Sequence, residues 1–211
     1  MESRVPRQQA VWTRAADRDT ISATMDALKA RGISSELVAD KVHALETLRR
    51  FIPEGAEVMT GSSKTLEEIE FVDLLKSGSH PWKNVKAAVQ AETDPSKQLK
   101  LRREAAMSQY FLGSVHAVAK TGEVVIASGG GSQLASYAFS AQNVIWVVGT
   151  QKIVPTLEDG LRRVREHSLP LEDRRMKSLG YPGSIIGKLL IVERERPGRI
   201  HLIFVNESIG F

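Results

Sequence analysis

Hydrophobic positions in the 211-residue chain alternate between short apolar runs and stretches with helical spacing. Apolar, β-branched runs of four to six residues between turn residues are typical of buried strands. Such runs occupy 33–38, 56–59, 115–119, 123–127, 144–148, 189–192 and 200–205. Because the stretches between most of these runs have helical spacing, the pattern predicts a layered α/β fold with a mostly parallel sheet rather than a helical bundle.

Capping and stop residues mark the expected helices. Asp19 and Asp40 are each placed to accept from the first free N–H groups of a helix, and glycine or proline follows the last apolar residue of each segment. We expect helices at 19–30, 40–51, 65–76, 85–91, 94–111, 155–168 and 171–176. The polar composition of residues 1–18 predicts an arm that is ordered by docking. We expect residues 19–211 to form a single α/β domain that begins with an N-terminal helical extension. The last two strands are expected to form a C-terminal β-hairpin.

The central stretch 119–154 contains two predicted strands, 123–127 and 144–148, separated by three glycines and a short helix. This order predicts a right-handed crossover between parallel strands, and the Thr121-Gly122 turn predicts a hairpin of 115–119 with 123–127. In open α/β sheets, ligands bind at the carboxyl ends of the strands. The glycine run is therefore expected at a ligand site.

A second small-residue loop follows the strand 56–59 and leads into a helix. Free backbone N–H groups at such a loop, the adjacent helix dipole and nearby hydroxyls can bind a carboxylate or phosphate. We predict that a small anionic ligand contacts both loops and a lysine that follows the strand 144–148: Thr60, Gly61, Ser62, Ser63, Thr65, Gly129, Gly130, Gly131, Ser132 and Lys152. The alternatives are an ordinary capped helix start, a flexible turn and a solvent-facing lysine.

Several well-known motifs are excluded by single positions. The first loop lacks the glycines of a P-loop, because Val58 and Ser63 occupy their places, and Leu134 replaces the third glycine of a dinucleotide fingerprint. There is no G-x-S-x-G sequence, and the five histidines are scattered. The sequence therefore predicts no metal site and assigns no catalytic residue.

The composition excludes or disfavours further classes of function. The chain has no cysteine, which excludes disulfides, thiolate catalysis and cysteine-ligated clusters within it. A net charge of +4 spread over several clusters, without an aromatic-interleaved basic strip, does not predict nucleic-acid binding. The N-terminal sequence lacks an apolar signal core and no run is long enough to span a membrane, so we expect a cytoplasmic protein without a membrane partner.

Three segments together resemble the LUD domain, the lactate-utilisation protein family, over roughly residues 20–211. They are TGSSKTLEEI, the stretch from AKTGEVVIASGGGSQ to TQKIVPTLEDGLRRVR, and RIHLIFVNESIGF. The resemblance implies a three-layer α/β/α fold similar to ribose-5-phosphate isomerase, glucosamine-6-phosphate deaminase and the CoA transferases. It also implies a part in oxidation of L-lactate to pyruvate beside partner subunits that carry iron-sulfur clusters.

The branch that the chain most resembles often has cysteines after the arginine-rich helix, whereas Arg174 to Lys188 contains none. We therefore expect no cofactor in this chain, iron-sulfur clusters only in possible partner subunits, and a non-redox role. The alternatives are a stand-alone isomerase-like enzyme, a CoA-transferase-like enzyme, for which the resemblance makes Glu207 the conceivable nucleophile, and a regulatory ligand-binding module. The apolar strand 144–148 and Trp12 make a homodimer plausible.

Overall fold

The computed structural model describes residues 12–211. The strands are β1 (Ser34–Val38), β2 (Glu57–Thr60), β3 (Lys83–Asn84), β4 (Tyr110–Gly113), β5 (Ala117–Ala119), β6 (Val124–Ser128), β7 (Asn143–Gly149), β8 (Ile153–Val154), β9 (Lys188–Val192) and β10 (Ile200–Val205). The α-helices are Arg18–Ala30, Lys41–Phe51, Lys64–Glu68, Phe71–Ser77, Val85–Ala91, Pro95–Glu104, Ser132–Ala135, Leu157–Arg163 and Leu169–Ser178. Short 3₁₀ turns cover Ala105–Met107 and Thr150–Lys152, and π-helical turns cover Ser136–Ser140 and Val164–Ser168.

Six strands form a central sheet in the order β1-β10-β7-β4-β2-β3, and every pair in it is parallel. Side chains of β7 alternate between its two faces: Val144 and Trp146 enter one apolar cluster, and Ile145 and Val147 enter another. Helices cover both faces, as a parallel sheet requires. The predicted α/β/α architecture with a mostly parallel central sheet is confirmed.

A smaller sheet of four strands, in the order β8-β5-β6-β9, lies against one side of this arrangement. β6 is antiparallel to both β5 and β9, and its side chains also alternate. Val124 and Ile126 join the cluster that contains Trp146, whereas Val125 packs with Trp12 and Val164 on the outer side. The predicted hairpin of β5 and β6 is confirmed, with Gly122 in its turn at a φ of +95°.

The predicted crossover between β6 and β7 is wrong, because the two strands belong to different sheets. Both edges of β6 are already occupied by β5 and β9, so no edge remains for β7. An apolar run with both faces buried fits either sheet, and periodicity alone does not choose between them.

The predicted C-terminal hairpin is also wrong. β9 pairs with β6, while β10 inserts between β1 and β7 in the central sheet. β10 is fully buried at nearly every position, as a central parallel strand must be, whereas Leu189 and Ile191 of β9 are more than a third exposed. The two strands that the sequence pattern predicted to pair therefore differ in burial and belong to different sheets.

Three helix predictions need correction. Residues Tyr110–Gly113 form β4 instead of the end of a helix, and the helix expected at 65–76 is interrupted at Glu70, whose φ is +62°. The first helix is part of the domain body, because Leu28 is fully buried in the main core and the helix cap is Asp17. By contrast, Asp40 accepts from the N–H groups of Val42 and His43, as predicted.

Trp12 and the strand residues Val144 to Val148, which suggested a docking arm and a homodimer, make their contacts within the chain. Trp12 is 5% exposed, and the guanidinium carbon of Arg162 lies 5.5 Å from the centroid of its ring. The strand side chains from Val144 to Val148 are buried, so they are not available to a second copy. Of the arm, residues 1–11 lie outside the described part of the chain. Within residues 12–211, no helix is long and apolar enough to cross a membrane.

Candidate functional site

A cavity of about 450 Å³ lies at the carboxyl edge of the central sheet. Segments that follow β2, β4, β7 and β10 contribute to its wall: Gly61–Thr65, Ser114–His116, Lys152 and Phe211. The end of β6, the loop before β9 and the helical stretch from Val164 to Met176 complete the wall. The cavity is therefore located where ligands bind in open α/β sheets.

Most of the predicted ligand-binding residues line this cavity. Those that do are Gly61, Ser62, Ser63, Thr65, Gly129, Gly130, Ser132 and Lys152. Thr60 does not, because it is 2% exposed and its Oγ1 accepts from Lys86 Nζ at 3.0 Å. Gly131 does not either, and its N–H donates to Ser128 Oγ at 2.9 Å. The two loops lie side by side, since a Cβ on Gly61 would be 2.6 Å from Gln133 Oε1.

The first loop has fewer free donors than its sequence indicates. Ser63 Oγ accepts from the N–H of Leu66 at 3.3 Å, as in an ordinary helix cap, and Ser62 Oγ accepts from Arg175 Nη2 at 2.9 Å. The helix that follows is only five residues long, which limits its dipole. Arg175 also pairs with Glu172, and that hydrogen bond raises the pKa of Arg175.

Packing does not explain the first two glycines of the second loop. Neither Gly129 nor Gly130 has a φ in the left-handed region, and a Cβ on Gly130 would meet no atom within 4 Å. A Cβ on Gly129 would make only an ordinary contact, 3.5 Å from the carbonyl oxygen of Ile185. Their small size therefore serves to leave the cavity wall open and its backbone accessible.

Lys152 is buried in the cavity wall at 1% exposure, so the solvent-facing alternative is wrong. Its Nζ donates to Thr65 Oγ1 at 3.0 Å and to Ser114 Oγ at 3.1 Å. Gly210 packs over this group, because a Cβ there would lie 3.0 Å from Nζ. Burial, reinforced by the charge of Arg163, lowers the pKa of Lys152 to about 7.

Arg163 is a second buried cation that the sequence did not single out. It is fully buried and donates to the backbone oxygens of His116 and Trp12 and, at 3.2 Å, to Ser168 Oγ. Burial lowers its pKa to about 9. The only sequence signal was a row of arginines on one helix, which does not show which of them points inward.

His116 also lines the cavity and was missed. Its Nδ1 accepts from the N–H of Ala127 at 3.1 Å, which assigns the proton of the neutral ring to Nε2. Burial and the nearby charges of Lys152 and Arg163 lower its pKa to about 3. The imidazole is therefore neutral at physiological pH.

Glu207, the conceivable nucleophile of the acyl-transfer alternative, is not among the residues that line the cavity. Its Oε2 accepts from the N–H of Lys41 at 3.3 Å, at the start of the helix Lys41–Phe51. This is a helix-capping contact.

The donor set does not fit a metal centre. Among the residues that the structure describes, no group of three or more histidine, aspartate or glutamate side chains is close enough to bind an ion. Because the whole chain has no cysteine, its residues do not fit an iron-sulfur cluster either.

Comparisons with known proteins agree with this architecture. Residues 21–205 match the model of a family described as the LUD domain. The structure is similar to the crystal structure of a DUF162 family protein from Deinococcus radiodurans, with a TM-score of 0.53 and 11% identity over 92% of this chain and 100% of that one. At this identity the likeness shows a shared fold. No curated protein matches the sequence.

Proposed function

The chain belongs to the LUD domain family, and from this premise we propose that it acts in lactate utilisation by binding a small carboxylate in the cavity at the carboxyl edge of the central sheet. It does so as a non-redox component beside partner subunits that carry iron-sulfur clusters. The role beside partners is what membership of the family implies, and a chain without cysteine leaves any cysteine-ligated cluster to a partner.

The observation that carries this proposal is the pair of buried cations. Lys152 and Arg163 are 1% and 0% exposed, and no carboxylate among residues 12–211 lies within 4.0 Å of either side-chain charge. Buried charges in proteins are normally paired. A bound anion would supply the missing negative charge.

Each group around the cavity would make a different contribution to binding that anion. Lys152 supplies a donor at the cavity wall, Gly129 and Gly130 leave the backbone open, and Ser132 adds a hydroxyl. Arg163 is not part of the wall, so its positive charge would act on the anion from a longer distance. The effect of this charge on the pKa of Lys152 shows that it reaches the wall. Thr60 and Gly131 do not line the cavity, so the proposal does not include them among the ligand contacts.

The CoA-transferase-like alternative loses support from the placement of Glu207 outside the cavity. The isomerase-like alternative predicts turnover without partners. The regulatory alternative uses the same ligand site as the proposed function. It differs because it predicts that the ligand binds without being turned over, whether the chain is alone or beside a partner.

Binding is tested by thermal shift with lactate, pyruvate, inorganic phosphate and a CoA ester. We expect lactate or pyruvate to raise the unfolding temperature, because a ligand at 100 times its Kd stabilises the fold by about 2.7 kcal/mol. Gly130→Ala and Gly130→Val then form a graded pair, since the added Cβ meets no protein atom and projects only into open space. The shift should shrink with alanine and vanish with valine, while the unfolding temperature without ligand stays near that of the wild type. A shift unaffected by valine would place the ligand elsewhere, and no shift with any carboxylate would overturn the proposal.

The partner role is tested separately by affinity purification of the tagged chain from its native cells. We expect cysteine-rich iron-sulfur subunits to be enriched, and lactate oxidation to be found in the complex and not in the isolated chain. Turnover of lactate by the isolated chain would contradict a non-redox role.

A further inference from the structure

The nitrogen of Lys152 has an unusual set of hydrogen-bond partners. Thr65 Oγ1 and Ser114 Oγ both accept from it, at 3.0 and 3.1 Å. These hydroxyls use their own hydrogens elsewhere: Thr65 donates to Ser114 Oγ at 3.2 Å, and Ser114 donates to the carbonyl oxygen of Val115 at 3.4 Å. In the ammonium form these two acceptors leave the third N–H free to donate to a bound anion, and in the neutral form they occupy both N–H groups and leave the lone pair without a protein donor.

The charged groups that surround Lys152 favour this neutral state. Arg163, on the helix Leu157–Arg163, opposes a second charge, and His116 and His167 are neutral rings whose pKa values Lys152 also lowers. Glu68 favours the charged form, but its carboxylate is engaged with the N–H of Gly210 at 2.7 Å and with Lys64 at 3.7 Å. Burial contributes most of all, and together these effects place the pKa of Lys152 at about 7.

We propose that Lys152 is an amine nucleophile that forms an imine with the carbonyl carbon of a 2-oxo acid bound in this cavity. The inference rests on the proposed carboxylate site and assigns it a substrate class. A 2-oxo acid fits because its carboxylate can contact the open backbone at Gly129 and Gly130 and the hydroxyl of Ser132, with Arg163 supplying positive charge at longer range, while Lys152 Nζ is left to attack the adjacent carbonyl carbon. Buried lysines with an uncompensated charge are suited to Schiff-base chemistry.

The step balances without an oxidant or reductant. The lone pair of Nζ forms a bond to the carbonyl carbon, and a proton moves from nitrogen to oxygen to give a carbinolamine. The second N–H proton and the hydroxyl then leave as water while the C=N bond forms. One amine and one ketone thus become one imine and one water.

Thr65 and Ser114 are positioning residues for this step, because they orient Nζ through its two N–H groups. Removal of either hydroxyl leaves the amine free to rotate. Thr65→Val and Ser114→Ala should therefore slow imine formation more than they weaken carboxylate binding. Equal losses of both would indicate a merely structural role.

The test is reductive trapping of the full chain with glyoxylate or pyruvate and cyanoborohydride, followed by intact mass measurement and peptide mapping. We expect one adduct, located on Lys152, formed at least about tenfold faster than on any exposed lysine at pH 7, because an amine with an ordinary pKa near 10.4 is almost fully protonated there. Its rate should rise through pH 7 as the amine loses its proton.

A matched control is Lys86→Met. Lys86 is half-buried and burial also lowers its pKa, but its Nζ donates to Thr60 Oγ1 and to the carbonyl oxygen of Gly61 and it does not line the cavity. This variant should keep the adduct, and Lys152→Arg, which keeps a cation, should lose it. Mapping on the wild type alone decides the question if a variant fails to fold.

The outcomes separate the two proposals. A thermal shift with pyruvate but no adduct on Lys152, or adducts scattered over exposed lysines, would overturn the imine and leave carboxylate binding intact. Neither a shift nor an adduct would overturn both.

Discussion

The buried position of Lys152 lowers the stability of the fold at neutral pH. A charge at 1% exposure loses its hydration, and two hydroxyls do not replace a carboxylate partner. Residues that destabilise a fold in this way are common at functional sites. Lys64 differs from Lys152 because it is only half-buried and is paired with Glu67 and Glu68.

Lys152→Met should raise the free energy of unfolding at pH 6 by roughly 1 to 4 kcal/mol, because it replaces a buried charge with an apolar side chain of similar length. The folded-state pKa of about 7 is below the ordinary lysine value of 10.5, so the wild type gains stability as pH rises between these values. The advantage of the variant should therefore shrink from pH 6 to pH 9. Urea unfolding at both pH values measures it.

Lys64→Met serves as the control, with an expected change within about 0.5 kcal/mol. A loss of stability in Lys152→Met at both pH values would mean that the ammonium contributes favourable contacts that outweigh its burial.

At the scale of elements, the tail after β10 determines how the cavity is closed. The tail passes across the end of β7, where a Cβ on Gly149 would lie 2.8 Å from the carbonyl oxygen of Glu207. Gln151 then donates to the carbonyl oxygen of Ile209 at 2.8 Å, and Phe211 reaches the cavity wall. The tail thus connects two neighbouring central strands at the edge where Lys152 lies.

Gly210→Ala should disturb this closure. Its φ is +61°, and a Cβ would lie 2.1 Å from Thr65 Oγ1. Gly198 in the turn before β10 is a matched control, with a φ of +91° and no atom within 4 Å of a Cβ. Both variants bear the cost of a left-handed alanine, about 1 to 2 kcal/mol, and Gly210→Ala should lose roughly 1 to 3 kcal/mol more through overpacking.

The measurement is chemical unfolding of both variants, with carboxylate thermal shifts as a second readout. Only Gly210→Ala should weaken the ligand shift, because only it displaces Thr65. Equal effects of the two glycines would show that the tail does not hold the site.

At the scale of the whole molecule, His116 lies on the segment that links the central sheet to the smaller one. Its pKa of about 3 is far below the ordinary histidine value of 6.5, so between these pH values the unfolded chain binds a proton that the folded chain does not bind. The free energy of unfolding should therefore fall as pH decreases from about 6.5 toward 3.

His116→Asn should flatten that decline, because asparagine Oδ1 can accept from Ala127 N–H as Nδ1 does and the side chain does not titrate. Some slope should persist, since burial also lowers the pKa of His167, to about 4. Unfolding curves at several pH values between 4 and 7 compare the two proteins. An unchanged slope would mean that His116 is protonated or solvated in the folded state.

Part of the local structure and the two loops of the cavity wall could be predicted from the sequence alone. Capping at Asp40, the helix Val85–Ala91 and the hairpin of β5 and β6 follow from contacts between residues close in the chain. The place of both loops in the cavity wall was predictable because glycine and serine directly after a buried strand are typical of ligand-site loops.

Only the tertiary structure decided which sheet each strand joined and which cations were buried. β6 and β7 have similar apolar runs, and the choice between sheets depends on which edges are free. Packing places Arg163 and His116 within electrostatic range of Lys152, and burial lowers the pKa of all three. Desolvation depends on every surrounding group, so no local pattern contains it.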